Sequence, residues 1–161
     1  MQRRRPRSTP WPAPTLDREE LCTHVAHDQG GLAGRMAVGE EVGPDERAIP
    51  RAVFLEPELA SGGLSVEEAK AAGVDAFEKV VDFATTTRGY ELEAAFGHVA
   101  IVVDRSAGTL VGASVGAPAA AAAIHETGLA IQTRIPGATR AAEIQACPND
   151  PRATAGLRCR P

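Results

Sequence analysis

Cys147, followed by Pro148, is a candidate nucleophile, because a thiolate attacks electrophilic centres once a base removes its proton. The nearest candidate base is His125, in a different predicted helix, and the spacing favours a half-buried thiol at a helix end over a catalytic pair. Cys22, His24 and His27 lie close enough in sequence to suggest a metal site. Zinc takes three or four converging ligands, and no second Cys/His cluster completes this set, so no metal is expected. Gly30-Gly31-Leu32-Ala33-Gly34 has the glycine spacing of a dinucleotide loop. No strand precedes it and no acidic residue follows in a βαβ unit, so it reads as a helix that something approaches closely. Glu67-Glu68 and Asp45-Glu46 are paired carboxylates in a helix's first turn and a linker, where solvated charge is the natural reading. No set of residues makes a self-contained active site.

The elements that must position these residues follow from pattern and punctuation. Residues 1–20 contain four prolines and no hydrophobic period, which predicts an Arg/Pro-rich disordered tail. From Leu21 to Ala37 the pattern is helical, with Val25, Leu32 and Met36 on one face and Thr23 as the cap. Gly43 to Ile49 reads as a polar linker. Arg51 to Leu55 predicts a short strand stopped by Glu56-Pro57. Ser65-Val66-Glu67-Glu68 is a capping box, and Gly73 ends the helix it opens. A strand over about 77–83 and a polar loop from Thr85 to Gly89 follow. His98–Asp104 and Thr109–Val115, separated by Arg105-Ser106-Ala107-Gly108, predict an antiparallel hairpin. Pro118 opens a helix to about Gln132, apolar on nearly every side, so a second layer or a partner subunit should cover its outer face. A last short helix spans about 138–144. The order predicts an α+β fold with an antiparallel sheet flanked by helices.

Composition bounds the function. The 161 residues suit one domain, with 43% hydrophobic and 24% charged residues typical of a globular protein. Aromatics are only 4%, so the core rests on Val, Ile, Leu and Ala. No apolar run reaches the roughly 18 residues of a membrane-spanning helix, and no membrane association is expected. Arg3, Arg4, Arg5 and Arg7 leave the rest of the chain with 13 basic against 21 acidic groups. An acidic body argues against nucleic acid, whose phosphates need a basic face. Three scattered cysteines, Cys22, Cys147 and Cys159, fit reduced thiols in a cytoplasmic protein.

The run Ile49-Pro50-Arg51-Ala52-Val53-Phe54-Leu55-Glu56-Pro57-Glu58-Leu59-Ala60-Ser61-Gly62-Gly63-Leu64-Ser65-Val66-Glu67-Glu68-Ala69 resembles the opening of a known domain. That domain is the C-terminal dimerisation domain of the FAD-dependent pyridine nucleotide-disulfide oxidoreductases, which include dihydrolipoamide dehydrogenase, glutathione reductase and mercuric reductase. The likeness continues through Gly97–Asp104, Gly108–Ala113, Ile124-His125-Glu126 and Ala130-Ile131. Thr23-His24-Val25-Ala26 with Gln29-Gly30 resembles the helix that closes the family's FAD domain. The resemblance covers about residues 21–150. It implies a sheet-and-helix domain over 48–150 that pairs two subunits through the helix at about Ala119–Gln132. It also implies a remnant of the FAD-domain helix over 21–43, and an irregular tail over 151–161. Thr23, His24, Val25 and Ala26 would offer amides to the flavin's pyrimidine edge.

This chain departs from the family pattern in several places. The flavin Rossmann domain, the nicotinamide domain and the redox-active cysteine pair have no counterpart here. Where the family has His, any residue, His-Pro-Thr and then a glutamate, this sequence reads Gln145-Ala146-Cys147-Pro148-Asn149, with Arg152 at the glutamate position. Cys147 and Arg152 cannot reproduce an imidazole oriented and charged by a carboxylate. The sequence therefore supports a dimerisation module, not catalytic alone and without tightly bound FAD. Two other readings stay open: a subunit completing a flavin-dependent NAD(P)H oxidoreductase with another polypeptide, and a degraded product with no role.

Overall fold

The computed structural model describes residues 22–93 and 96–145. The tails, with Leu21, Cys147, Arg152 and Cys159, lie outside the described residues. The chain divides into two compact units at Pro44/Asp45. In the first, the described chain forms α1 (Thr23–Ala37), none of whose residues is buried.

The second unit is a five-stranded antiparallel sheet with helices. Its strands are β1 (Arg51–Val53), β2 (Glu58–Gly63), β3 (Ala76–Asp82), β4 (His98–Asp104) and β5 (Thr109–Ala117). Their order across the sheet is β1-β2-β5-β4-β3. The helices are α2 (Val66–Ala71), α3 (Thr87–Glu91), α4 (Ala120–Thr133) and α5 (Gly137–Ala141). The α+β class expected from the sequence is the observed one.

Two apolar layers hold the sheet. Val99, Ile101 and Val103 of β4, all fully buried, alternate with Ala100 and Val102, which are buried on the opposite face, so this strand is covered on both sides. With Ala60, Val115 and Phe83 they join α4's Ala120, Ala123, Ile124 and Ile131 in the main core. On the other face, α2 contributes Ala69 to a smaller cluster with Ala76 and Val102. A one-residue irregularity between Val102 and Val103 shifts the β4–β5 register, pairing Val102 with Gly112 and Val103 with Leu110.

Helix α2 forms as its sequence dictates. The Ser65 hydroxyl accepts from the Glu68 amide at 3.2 Å, and the Glu68 carboxylate accepts from the Ser65 amide at 2.8 Å. At the other end Gly73 has φ +80°, and the amides of Gly73 and Val74 bond the carbonyls of Lys70 and Ala69, closing the helix as a Schellman motif. The Ser65 hydrogen bonds hold the Glu68 carboxyl below its ordinary range. A depressed carboxyl contributes stability that is present above its unfolded value and is lost as pH falls through the folded one. Ser65→Ala should cost about 1 kcal/mol in urea unfolding at pH 7, and less at pH 3. An equal loss at both pH values would show that the ionised Glu68 carboxylate adds nothing to the Ser65 cap.

The structure also corrects several boundaries. Strand β2 was not expected, because Ser61, Gly62 and Gly63 are poor strand formers. Packing dictates the last of them: a Cβ on Gly63, whose φ is +74°, would clash with the Val111 carbonyl oxygen. The loop expected at Thr85–Gly89 is a 3₁₀ turn (Phe83–Thr85) running into α3, capped by the Thr86 hydroxyl. Helix α4 begins at Ala120, two residues after Pro118, and its first turn is sealed from a distance. The Glu58 carboxylate on β2 accepts from the Ala121 amide at 3.0 Å.

Candidate functional site

Sequence reasoning singled out the start of α1, helix α4, and the segment after α5. At α1, Cys22 is the N-cap, with extended backbone, and Thr23 is the first helical residue rather than the cap. Among the described residues no side chain caps this helix, and no acidic residue lies in its first turn. The Ala26 amide reaches the Cys22 carbonyl at 3.0 Å, and the amides before it have no intrahelical acceptor. Thr23, His24, Val25 and Ala26 thus form a helix start whose amides carry partial positive charge and take no side-chain cap from the described residues, which suits an anionic group. A Cβ at Gly30, Gly31 or Gly34 would meet no described atom within 4 Å, so the close approach expected there is not made by the described residues. Among those residues, no three His, Cys, Asp or Glu side chains gather as a metal site.

Helix α4 turns one stripe to the sheet: Ala120, Ala123, Ile124, Thr127, Ala130 and Ile131 are buried. The opposite stripe, at the 3- and 4-residue steps of a helix, is Ala122, His125, Leu129 and Gln132. All four are exposed, and Leu129 keeps 57% of its surface open to solvent. The expectation that α4 is apolar all round therefore narrows to a mixed outer stripe with one large aliphatic side chain. His125 lies on that stripe, and Cys147, for which it was the nearest candidate base, lies outside the described residues.

One constellation was missed from sequence. Glu126, on α4's flank, accepts from Arg140 Nη2 at 2.7 Å and from Gln145 Nε2 at 2.9 Å. Arg140 is 6% exposed and the Glu126 side chain 30%. The cluster ties α4 to α5 and to the residues that follow it. By contrast, the Asp45–Arg47 pair is a surface pair. Its bidentate contact, at 2.8 and 2.6 Å, holds the Asp45 carboxyl at about 2 and raises Arg47.

Residues 49–152 match the family model of the pyridine nucleotide-disulphide oxidoreductase dimerisation domain. The chain belongs to this family. Among the pyridine nucleotide-disulphide oxidoreductases, dihydrolipoyl dehydrogenase 2 of Haloarcula marismortui is 35% identical over 114 residues, which are 71% of this chain and 24% of that protein. Dihydrolipoyl dehydrogenase of Geobacillus stearothermophilus is 34% identical over 125 residues, 78% of this chain and 27% of the relative. The solved structure of LpdA from Mycobacterium tuberculosis superimposes with a TM-score of 0.77 at 30% identity, covering 84% of this chain and 30% of LpdA. The flavoprotein disulfide reductase RclA from Escherichia coli shares the fold, with a TM-score of 0.75 at 19% identity over 86% of this chain and 32% of its own. The chain thus spans about a quarter of the length of the curated relatives it matches. The family is FAD-dependent.

Proposed function

We propose that this chain serves as a self-pairing domain of a flavin-dependent oxidoreductase and is not catalytic alone, two copies associating through the outer stripe of α4. The observation that carries the reading is the exposed Leu129, between His125 and Gln132 on the one face of α4 its own sheet leaves bare. A two-fold axis through such a stripe sets each helix against its mate, so that every contact occurs twice. Under this reading residues 48–150 are the pairing domain, 21–43 belong to a flavin domain, and 1–20 and 151–161 are tails. The scattered cysteines support a reducing, cytoplasmic compartment.

Sedimentation at micromolar concentration should give a dimer. Leu129→Glu places two like charges near the axis and should yield a folded monomer, with dimer affinity reduced at least about 30-fold. A wild-type chain that sediments as a folded monomer overturns the reading.

A second reading is favoured by the start of α1: the chain completes a flavin site together with another polypeptide. Thr23, His24, Val25 and Ala26 fit one anionic edge of a flavin, since the first turn they form contains no carboxylate. Bound there, the flavin would supply electron transfer between nicotinamide and disulfide.

A further inference from the structure

The outer stripe of α4 has a symmetry of its own. Ala122, His125, Leu129 and Gln132 are spaced by three, four and three positions, so the stripe reads the same from either end about Thr127. Two such helices laid antiparallel across a two-fold axis at that point set His125 of each copy against Leu129 of the other, and Ala122 against Gln132. The two imidazoles then flank the axis about 6 Å apart along the helices. An aliphatic neighbour strips water from an imidazole and offers it no acceptor, and a second imidazole so near repels any charge on the first. Both effects act against the protonated form alone.

Carboxylates could offset this by attracting the imidazolium, but those around α4 have partners. Glu126, next to His125, accepts from Arg140 of α5 and from Gln145. Glu143, after α5, reaches the Gln145 amide at 3.4 Å. Glu58, on β2 beneath the helix, accepts from the Ala121 amide. Asp45, in the segment whose Ala48 carbonyl lies beside Gly128, holds Arg47 in its bidentate pair. Its neighbour Glu46 is open to water, where its pull is screened. Arg51 on β1 and Arg134 at the end of α4 are cations, which add to the repulsion.

We propose that acid opens this self-pairing: protonation of His125, on the outer stripe of α4, separates the two copies. The proposal rests on the α4 pairing given above as the first reading. A dimer that disfavours the imidazolium holds fewer protons than two monomers. Its affinity is therefore full above the range where histidine titrates, and is lost as pH falls through that range. The chain has four histidines; His24 and His27 lie on α1 and His98 opens β4, so His125 is the one on the stripe.

The test is sedimentation velocity on the whole chain, over a concentration series at pH 8 and at pH 6. With two imidazoles per dimer, the wild-type pairing should weaken about 10-fold between the two. His125→Gln, which keeps a polar side chain but has no proton to gain, should hold its affinity to within about 2-fold. His98→Gln should weaken with acid as the wild type does. Imidazole C2-proton NMR of the wild type adds a direct reading: His125 should titrate at lower pH in a concentrated, dimeric sample than in a dilute one. A wild type that pairs equally well at both pH values overturns the proposal and leaves the α4 pairing standing. A wild type that is a folded monomer at both removes that pairing, and the proposal with it. Acid dissociation that persists in His125→Gln assigns the effect to another group and also overturns it. Should His125→Gln not pair at either pH, the NMR titration decides alone, and a His125 resonance that titrates identically in both samples overturns the proposal.

Discussion

With added FAD, the purified chain should oxidise neither NADH nor NADPH at the expense of disulfides, quinones or mercuric ion. Enzymes of this family move electrons from nicotinamide to flavin, then to a cysteine pair, then to substrate. The 161 residues carry three cysteines far apart in sequence and no recognisable nicotinamide fold. The start of α1 offers a few amides, which is too little to hold FAD through gel filtration. Cys147 and Arg152 stand where the resemblance places a proton-handling histidine and its glutamate, and the loss of acid/base help alone costs about 10²–10⁴-fold. Cys147→His/Arg152→Glu should therefore not rescue turnover, since the electron path is still missing. The assay is nicotinamide oxidation by both proteins. Turnover that scales with protein concentration and survives repurification would mean the chain is a working enzyme, and a yellow protein with stoichiometric flavin would say the same of the cofactor.

What the sequence disclosed divides by range. The capping box at Ser65–Glu68, the Gly73 stop and the β4–β5 hairpin were legible because each is written in adjacent residues. The dimerisation-domain assignment was legible because the phrase from Ile49 to Ala69 is specific. Strand β2 was not, because its Ser-Gly-Gly run is a poor strand former and Gly63 is required by the approach of β5 and α4, a constraint no local propensity reports. The start of α4 misled in the same way: the local signal was Pro118, but the cap comes from Glu58, on another strand. The outer stripe of α4 was read as apolar because alanines look apolar all round a helix, whereas which face meets the sheet depends on the fold. The Glu126–Arg140–Gln145 cluster joins residues 14 and 19 positions apart across a turn, and no sequence spacing marks it.

That cluster carries a stability effect large enough to measure. Truncating Glu126 to Ala leaves Arg140, only 6% exposed, without its 2.7 Å carboxylate acceptor. Stranding a buried charge costs about 3–5 kcal/mol when both partners are fully buried. Glu126 is 30% exposed, so water can reach part of the site, and about 2 kcal/mol is the expected loss. Arg140→Leu should cost less, about 1 kcal/mol, because the carboxylate left behind is half-open to solvent and keeps the Gln145 amide. Replacing both, as Glu126→Leu/Arg140→Leu, removes the two charges of the pair together and adds apolar surface between α4 and α5, so stability should return to within about 1 kcal/mol of the wild type. The singles and the double thus describe a coupling well above 1 kcal/mol. Urea unfolding at one fixed protein concentration measures it, since a dimer's stability depends on concentration. Raising salt to 1 M should barely change the coupling, whereas the exposed Arg35–Glu40 and Arg47–Asp45 pairs should lose what little they contribute. Losses that simply add, within about 0.5 kcal/mol, would show that Glu126 and Arg140 act independently and that α5 is held to α4 by packing alone.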